Sequence, residues 1–130
     1  MSWATARIAP DYDVLAPDGS EIRELVQTSR GSMVHCTLPA GHVTRAVRHR
    51  SVDEVWYCLA GNGEVWRRAA DAAQAVDPIV PGAALSIPGG VEFQFRALGE
   101  AALEILIVTM PPWPGADEAV AVEGHWPPAV

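Results

Sequence analysis

The run GHVTRAVRHRSVDEVWYCLAG, from Gly41 to Gly61, decides how the rest of the chain is read. Glu54 to Leu59 alternates and is rich in aromatic and β-branched types, the pattern of a half-buried strand. In that strand Glu54, Trp56 and Cys58 share one face. Ahead of it, Val43 to His49 reads as a second strand. There the period of two places Arg45, Val47 and His49 on one face and Ala46, Arg48 and Arg50 on the other. Gly61-Asn62-Gly63 then permits a tight turn with φ > 0. It is expected to close a hairpin, with Glu64 to Arg68 as the returning strand.

Outward from this stretch, short apolar runs recur and Gly, Pro, Asn or Asp punctuate them every eight to twelve residues, the signature of a sandwich or small barrel. Thr5 to Ile8 reads as a first edge strand. Asp18-Gly19 is a hairpin signal. Glu21–Gln27 and Ser32–Leu38 read as strands, the second stopped by Pro39-Ala40-Gly41. Ala69 to Ala75 reads as a loop or a helical turn, and Pro78 to Gly82 as a turn. Ala84 to Ile87, Glu92 to Arg96 and Leu103 to Thr109 complete the strands. The tail from residue 111 is rich in proline, which excludes a central strand. The expectation is one all-β domain over residues 1–130. Its core spans about 32–110, N-terminal strands lie within 3–28, and a Pro-rich tail covers 111–130.

Composition narrows the function classes. The 130 residues are 49% hydrophobic and 19% charged, a globular balance. The net charge is -7, and all nine cations are Arg. An acidic chain without a basic run is a poor partner for nucleic acid or an anionic membrane. Cys36 and Cys58 match no metal spacing and form no disulfide framework. The longest apolar run, Leu103 to Met110, is broken by Glu104 and too short to span a bilayer. With no basic-apolar leader in the sequence, the expected location is cytoplasmic.

Two Gly-bounded segments carry a resemblance to the cupin superfamily. The first superfamily pattern is G-x5-H-x-H-x4-E-x6-G, and Gly41, His49, Glu54 and Gly61 fall in its register. The second is G-x5-P-x-G-x2-H-x3-N, matched by Gly82, Pro88 and Gly90. The chain most resembles small single-domain bacterial cupins with a similar RAVRHRxVxExWY core and TMPPWPG tail. That resemblance implies a double-stranded β-helix, a short antiparallel jelly-roll barrel with an interior site, and often a homodimer. It also places metal ligands at four positions, of which this chain keeps only His49 and Glu54. The first His position is Val47, the third is Phe93, and the closing Asn position is Ala97. Two protein donors fall short of the three or four that a first-row metal takes. The expectation is therefore that no metal cofactor is used. Substituted ligands stay open, with His42 or His35 joining His49 and Glu54, and Glu92, Gln94 and Cys58 also near the motifs.

The surviving pair is the candidate catalytic centre. His49 would act as general base or acid and Glu54 would orient it. The carboxylate favours imidazolium, while a dry pocket pushes the other way. If His49 points inward, so does Arg45, whose planar fork would anchor a carboxylate or phosphate. Val47, Trp56, Cys58 and Phe93 complete the expected substrate-binding wall, with Trp56 and Phe93 stacking on a planar or apolar ligand. Trp113 in the tail closes one barrel end or meets a second subunit. Three functions remain: a metal-independent acid–base enzyme on a small anionic or aromatic molecule, a non-catalytic small-molecule binding module, and a metal-dependent cupin with non-standard ligands.

Overall fold

A computed structural model describes residues 2–130. The strands in chain order are β1 (Val14–Leu15), β2 (Glu21–Gln27), β3 (Ser32–Leu38), β4 (Val47–His49), β5 (Asp53–Ala60) and β6 (Asn62–Arg68). They continue as β7 (Gln74–Ile79), β8 (Ala84–Ile87), β9 (Glu92–Leu98), β10 (Leu103–Met110) and β11 (Ala119–Ala121). One turn of 3-10 helix, Ala116–Glu118, precedes β11. They form two antiparallel sheets, ordered β1-β2-β3-β10-β5-β8 and β11-β4-β9-β6-β7. The sheets face one another as an all-β jelly roll.

Alternation explains the core. In β5, Glu54, Trp56 and Cys58 are buried, whereas Val55, Tyr57 and Leu59 are exposed. Cys36, Leu38, Val65, Ile87, Phe95, Leu103 and Ile105 meet them from the other strands. Burial of each large side chain among these contributes roughly 1.5–3 kcal/mol.

Several sequence expectations need correction. The Gly61 turn is no hairpin: β5 pairs with β8 and β10, whereas β6 pairs with β7 and β9. The turn instead carries the chain from one sheet to the other. Gly61 has φ +88, and a Cβ there would overlap the Ala102 carbonyl oxygen. Gly61→Ala should therefore lower stability by roughly 2 kcal/mol, readable by chemical denaturation; unchanged stability would mean that the corner tolerates a side chain.

Thr5 to Ile8 forms no strand. The segment lies exposed and is fastened only further on, where the Arg23 guanidinium donates to the carbonyls of Ala9 and Pro10 at 2.8 Å each. Ala69 to Ala73 is the expected loop and Pro81-Gly82 the expected turn, but Gln74, Ala75, Pro78 and Ile79 belong to β7, which tolerates Pro78 because it is an edge strand. The tail also returns to the sheet, since β11 pairs with β4 at an edge. Beyond it, the buried Gln94 side chain accepts from the His125 and Trp126 amides and donates to the Thr44 and Trp126 carbonyls. That fastens the chain end over the outer face of β9.

The strand expected over Val43 to His49 is regular only from Val47. Val43 bridges Arg96 and Val47 pairs with Phe93. Four steps of one strand therefore span three of the other, as in a β-bulge. The Thr44 hydroxyl fills the irregularity by accepting the Phe95 amide at 3.1 Å. A one-residue slip moves side chains to the opposite face. Upstream of the slip Arg45 is exposed, while Val47 and His49 beyond it are buried.

Candidate functional site

Between the sheets, towards the β1–β2 hairpin, a cavity of about 600 Å³ opens. Val47 and His49 reach it from β4, Glu54 and Trp56 from β5, Phe93 from β9, and Ile107 and Thr109 from β10. Asp18 and Ser20 enter from the hairpin, and Trp113 enters from the tail. Of the residues proposed from sequence, His49, Glu54, Val47, Trp56 and Phe93 are thus brought together. Arg45 and Cys58 are not. Arg45 is turned out by the bulge, its amide bonded to the Asp18 carbonyl at 2.9 Å. Cys58 is sealed in the core, its thiol donating to the Ala60 carbonyl at 3.5 Å, and burial raises its pKa.

His49 stands edge-on to Phe93 and Trp113, with ring centroids 5.2 and 5.0 Å away. Its Nδ1 lies 3.8 Å from Glu54 Oε2, too far for a hydrogen bond, and this buried nitrogen has no partner among the described residues. Glu54 uses its other oxygen, Oε1, to accept the Trp56 indole N–H at 2.9 Å. The carboxylate does not orient the imidazole by a direct bond.

Burial decides the charge state of both groups. It lowers His49 to about 4, only partly opposed by the nearby Glu118. Burial likewise raises Glu54 to about 7, against the Trp56 bond and with a further push from Asp18. The sequence left open whether the carboxylate or the dry pocket would control the imidazole, and the dry pocket wins. Near neutrality His49 is uncharged and Glu54 sits at its titration midpoint.

Asp18 escaped the sequence reading. It is buried at the cavity edge, its Oδ1 accepting the Ser20 amide at 2.9 Å and the Ser20 hydroxyl at 2.7 Å. Burial raises its pKa in spite of those bonds and of the Arg45 charge. The only sequence signal there is Asp-Gly-Ser, which marks a turn, and turn aspartates are ordinarily solvated.

No protein-family model matches the chain, and no curated protein does. Solved structures do match its shape. A Bacillus subtilis oxalate decarboxylase superposes with TM-score 0.77 at 17% identity over 94% of this chain and 33% of that one. A Lactobacillus farciminis oxalate decarboxylase in a formate complex gives TM-score 0.74 at 19% identity, covering 94% of this chain and 37% of that one. KdgF from Halomonas sp. gives TM-score 0.68 at 18% identity over 85% of this chain and 97% of that one. The fold is that of the cupins. The chain spans about a third of the oxalate decarboxylase chains and nearly all of KdgF.

The Bacillus subtilis oxalate decarboxylase has Mn(II) centres. The donor set of the present chain does not fit such an ion. Among the described residues no three His, Cys, Asp or Glu side chains gather as a ligand group. Val47 and Phe93, which cannot coordinate, face the cavity beside His49 and Glu54. The candidate replacements point elsewhere. His35 pairs with Glu104 at 3.0 Å away from the cavity, and His42 lies in the loop before β4, outside the lining. Glu92 lies 3.9 Å from Arg68, and Gln94 is taken up by the tail.

Proposed function

We propose that this cupin is an acid–base enzyme that acts on a small molecule without a metal ion. The observation that carries the reading is the placement, in one largely apolar cavity, of a carboxyl held near neutrality and an uncharged imidazole with an unpartnered Nδ1. A general acid or base works best with its pKa near the operating pH, and Glu54 meets that condition better than His49. The roles first assigned from sequence are therefore exchanged. Glu54 gives or takes the substrate proton, and His49, neutral, accepts or donates a hydrogen bond beside it. Trp56 and Phe93 position the substrate body. Isomerisation, cyclisation, elimination and decarboxylation can all use such a pair. An anionic substrate held by Arg45 has no support once that side chain lies outside.

The gap of 3.8 Å between the two groups favours a second reading, a binding module without turnover. One experiment separates them. Deuterium uptake from D2O into a panel of small carbonyl compounds is followed by NMR, with chelator present throughout. The expected result is exchange accelerated by the wild type and slowed about a hundredfold or more in Glu54→Gln and His49→Ala. Exchange untouched in both folded variants, or abolished by the chelator, would overturn the proposal. Binding without exchange would favour the module.

A further inference from the structure

We propose that the cavity takes an organic cation, a protonated amine on an apolar or aromatic body, with its ammonium group against Asp18 and Glu54. The inference names the substrate class of the site just described and rests on that cavity being the ligand site. It starts from charge. Among the described residues, the titratable side chains that line the cavity are Asp18, Glu24, His49 and Glu54. The chain has nine arginines and no lysine, and none of the nine lines the cavity. A carboxylate or phosphate ligand would add negative charge to carboxyl groups and meet no cation.

The unmet hydrogen-bonding capacity points the same way. Glu54 engages only Oε1, with Trp56, and Asp18 engages only Oδ1, with Ser20. Among the described residues His49 Nδ1 has no partner, and it belongs to a buried side chain that is only 5% exposed. An ammonium has three N–H donors and no acceptor. It supplies donors to two carboxylates and to an imidazole nitrogen that accepts in the neutral ring. A neutral hydroxyl has one donor for the same three groups. The surrounding wall, Trp56, Phe93 and Trp113, suits an apolar body and favours a cation near its ring faces.

The test uses three probes with one body: 2-phenylethylamine, 2-phenylethanol and 3-phenylpropanoate. Binding to the full chain is measured by calorimetry at pH 8, where Glu54 lies above its pKa of about 7. The amine should bind about tenfold or more tightly than the alcohol, and the propanoate should not bind, as expected for charge-assisted hydrogen bonds. Asp18→Asn, which keeps an oxygen acceptor for Ser20, should remove about tenfold of the amine affinity and leave the alcohol unchanged. If that variant does not fold, Glu54→Gln, which keeps the Trp56 bond, reads the same preference. Equal affinity for amine and alcohol, preference for the propanoate, or no binding of any probe would overturn the proposal. Its failure is separable from that of the acid–base reading. No amine binding with deuterium exchange intact removes the cation alone. Amine binding with exchange indifferent to Glu54→Gln and His49→Ala removes the chemistry alone.

Discussion

Glu54→Gln should stabilise the protein at pH 8 by up to about 3 kcal/mol and change it little at pH 4. The carboxyl titrates at about 7 in the folded chain against 4.5 for an unperturbed side chain, chiefly because burial penalises its charge. Between those values the native state holds a proton that the unfolded chain has released. Stability therefore falls as pH rises through that window and levels off above about 7. Gln removes the ionisable group but still offers an oxygen to the Trp56 indole, so the packing of β5 is retained. His49 acts in the opposite sense. Its folded value, about 4, lies below the ordinary 6.5, so the unfolded chain holds the extra proton and stability rises with pH across that interval. In the wild type the two slopes offset each other where their windows overlap. In Glu54→Gln the falling Glu54 slope is gone, and the imidazole should make stability climb between about pH 4 and about 6.5, opposed only by buried Asp18, whose raised pKa acts in the same sense as that of Glu54. Urea unfolding at closely spaced pH values reads both profiles. A variant no more stable than wild type at pH 8 would mean that Glu54 is solvated in the folded protein.

Such a cavity was legible only in part. The strict alternation of β5 fixed which way Glu54, Trp56 and Cys58 point, and all three are buried. The Gly and Pro spacing also placed Val47 and Phe93 beside the His49–Glu54 pair, and the two are Cα partners on β4 and β9. Alternation failed at Arg45. It assumes an unbroken ladder, and the single extra residue between Val43 and Val47 reverses the face without leaving any signal in the composition of RAVRH. It also could not tell how far along β5 the cavity reaches, so Cys58, inward like Trp56, proved to be core. Asp18 was missed for another reason. Its burial depends on chain brought over it from a distant element, where the Arg45 amide bonds the Asp18 carbonyl, and a local Asp-Gly turn carries no trace of that. The same limit hid the crossing at Gly61, because a tight turn within one sheet and a corner between two make the same demand for φ > 0.

The double substitution Val47→His and Phe93→His should turn the cavity into a metal site. Both positions line it, both correspond to His ligands in the cupin pattern that the chain resembles, and their Cα atoms pair across β4 and β9. With His49 and Glu54 they would supply four nitrogen or oxygen donors, the number that closes a first-row site. After incubation with zinc or manganese and desalting, the variant should retain about one ion per chain. The wild type should retain far less. Phe93→His also removes a ring that packs edge-on against both Trp56 and His49, so the metal-free variant should be the less stable protein. Added metal should then raise the melting temperature of the variant and leave that of the wild type unmoved, because an ion that binds only the folded state stabilises it by mass action. Stoichiometric metal in the wild type would restore the reading with non-standard ligands and displace the metal-free mechanism. A folded variant that binds none would show that Val47 and Phe93 do not point where four donors can converge. The difference between the metal-binding cupin pattern and this chain would then lie in the β4 bulge as well as in Val47 and Phe93.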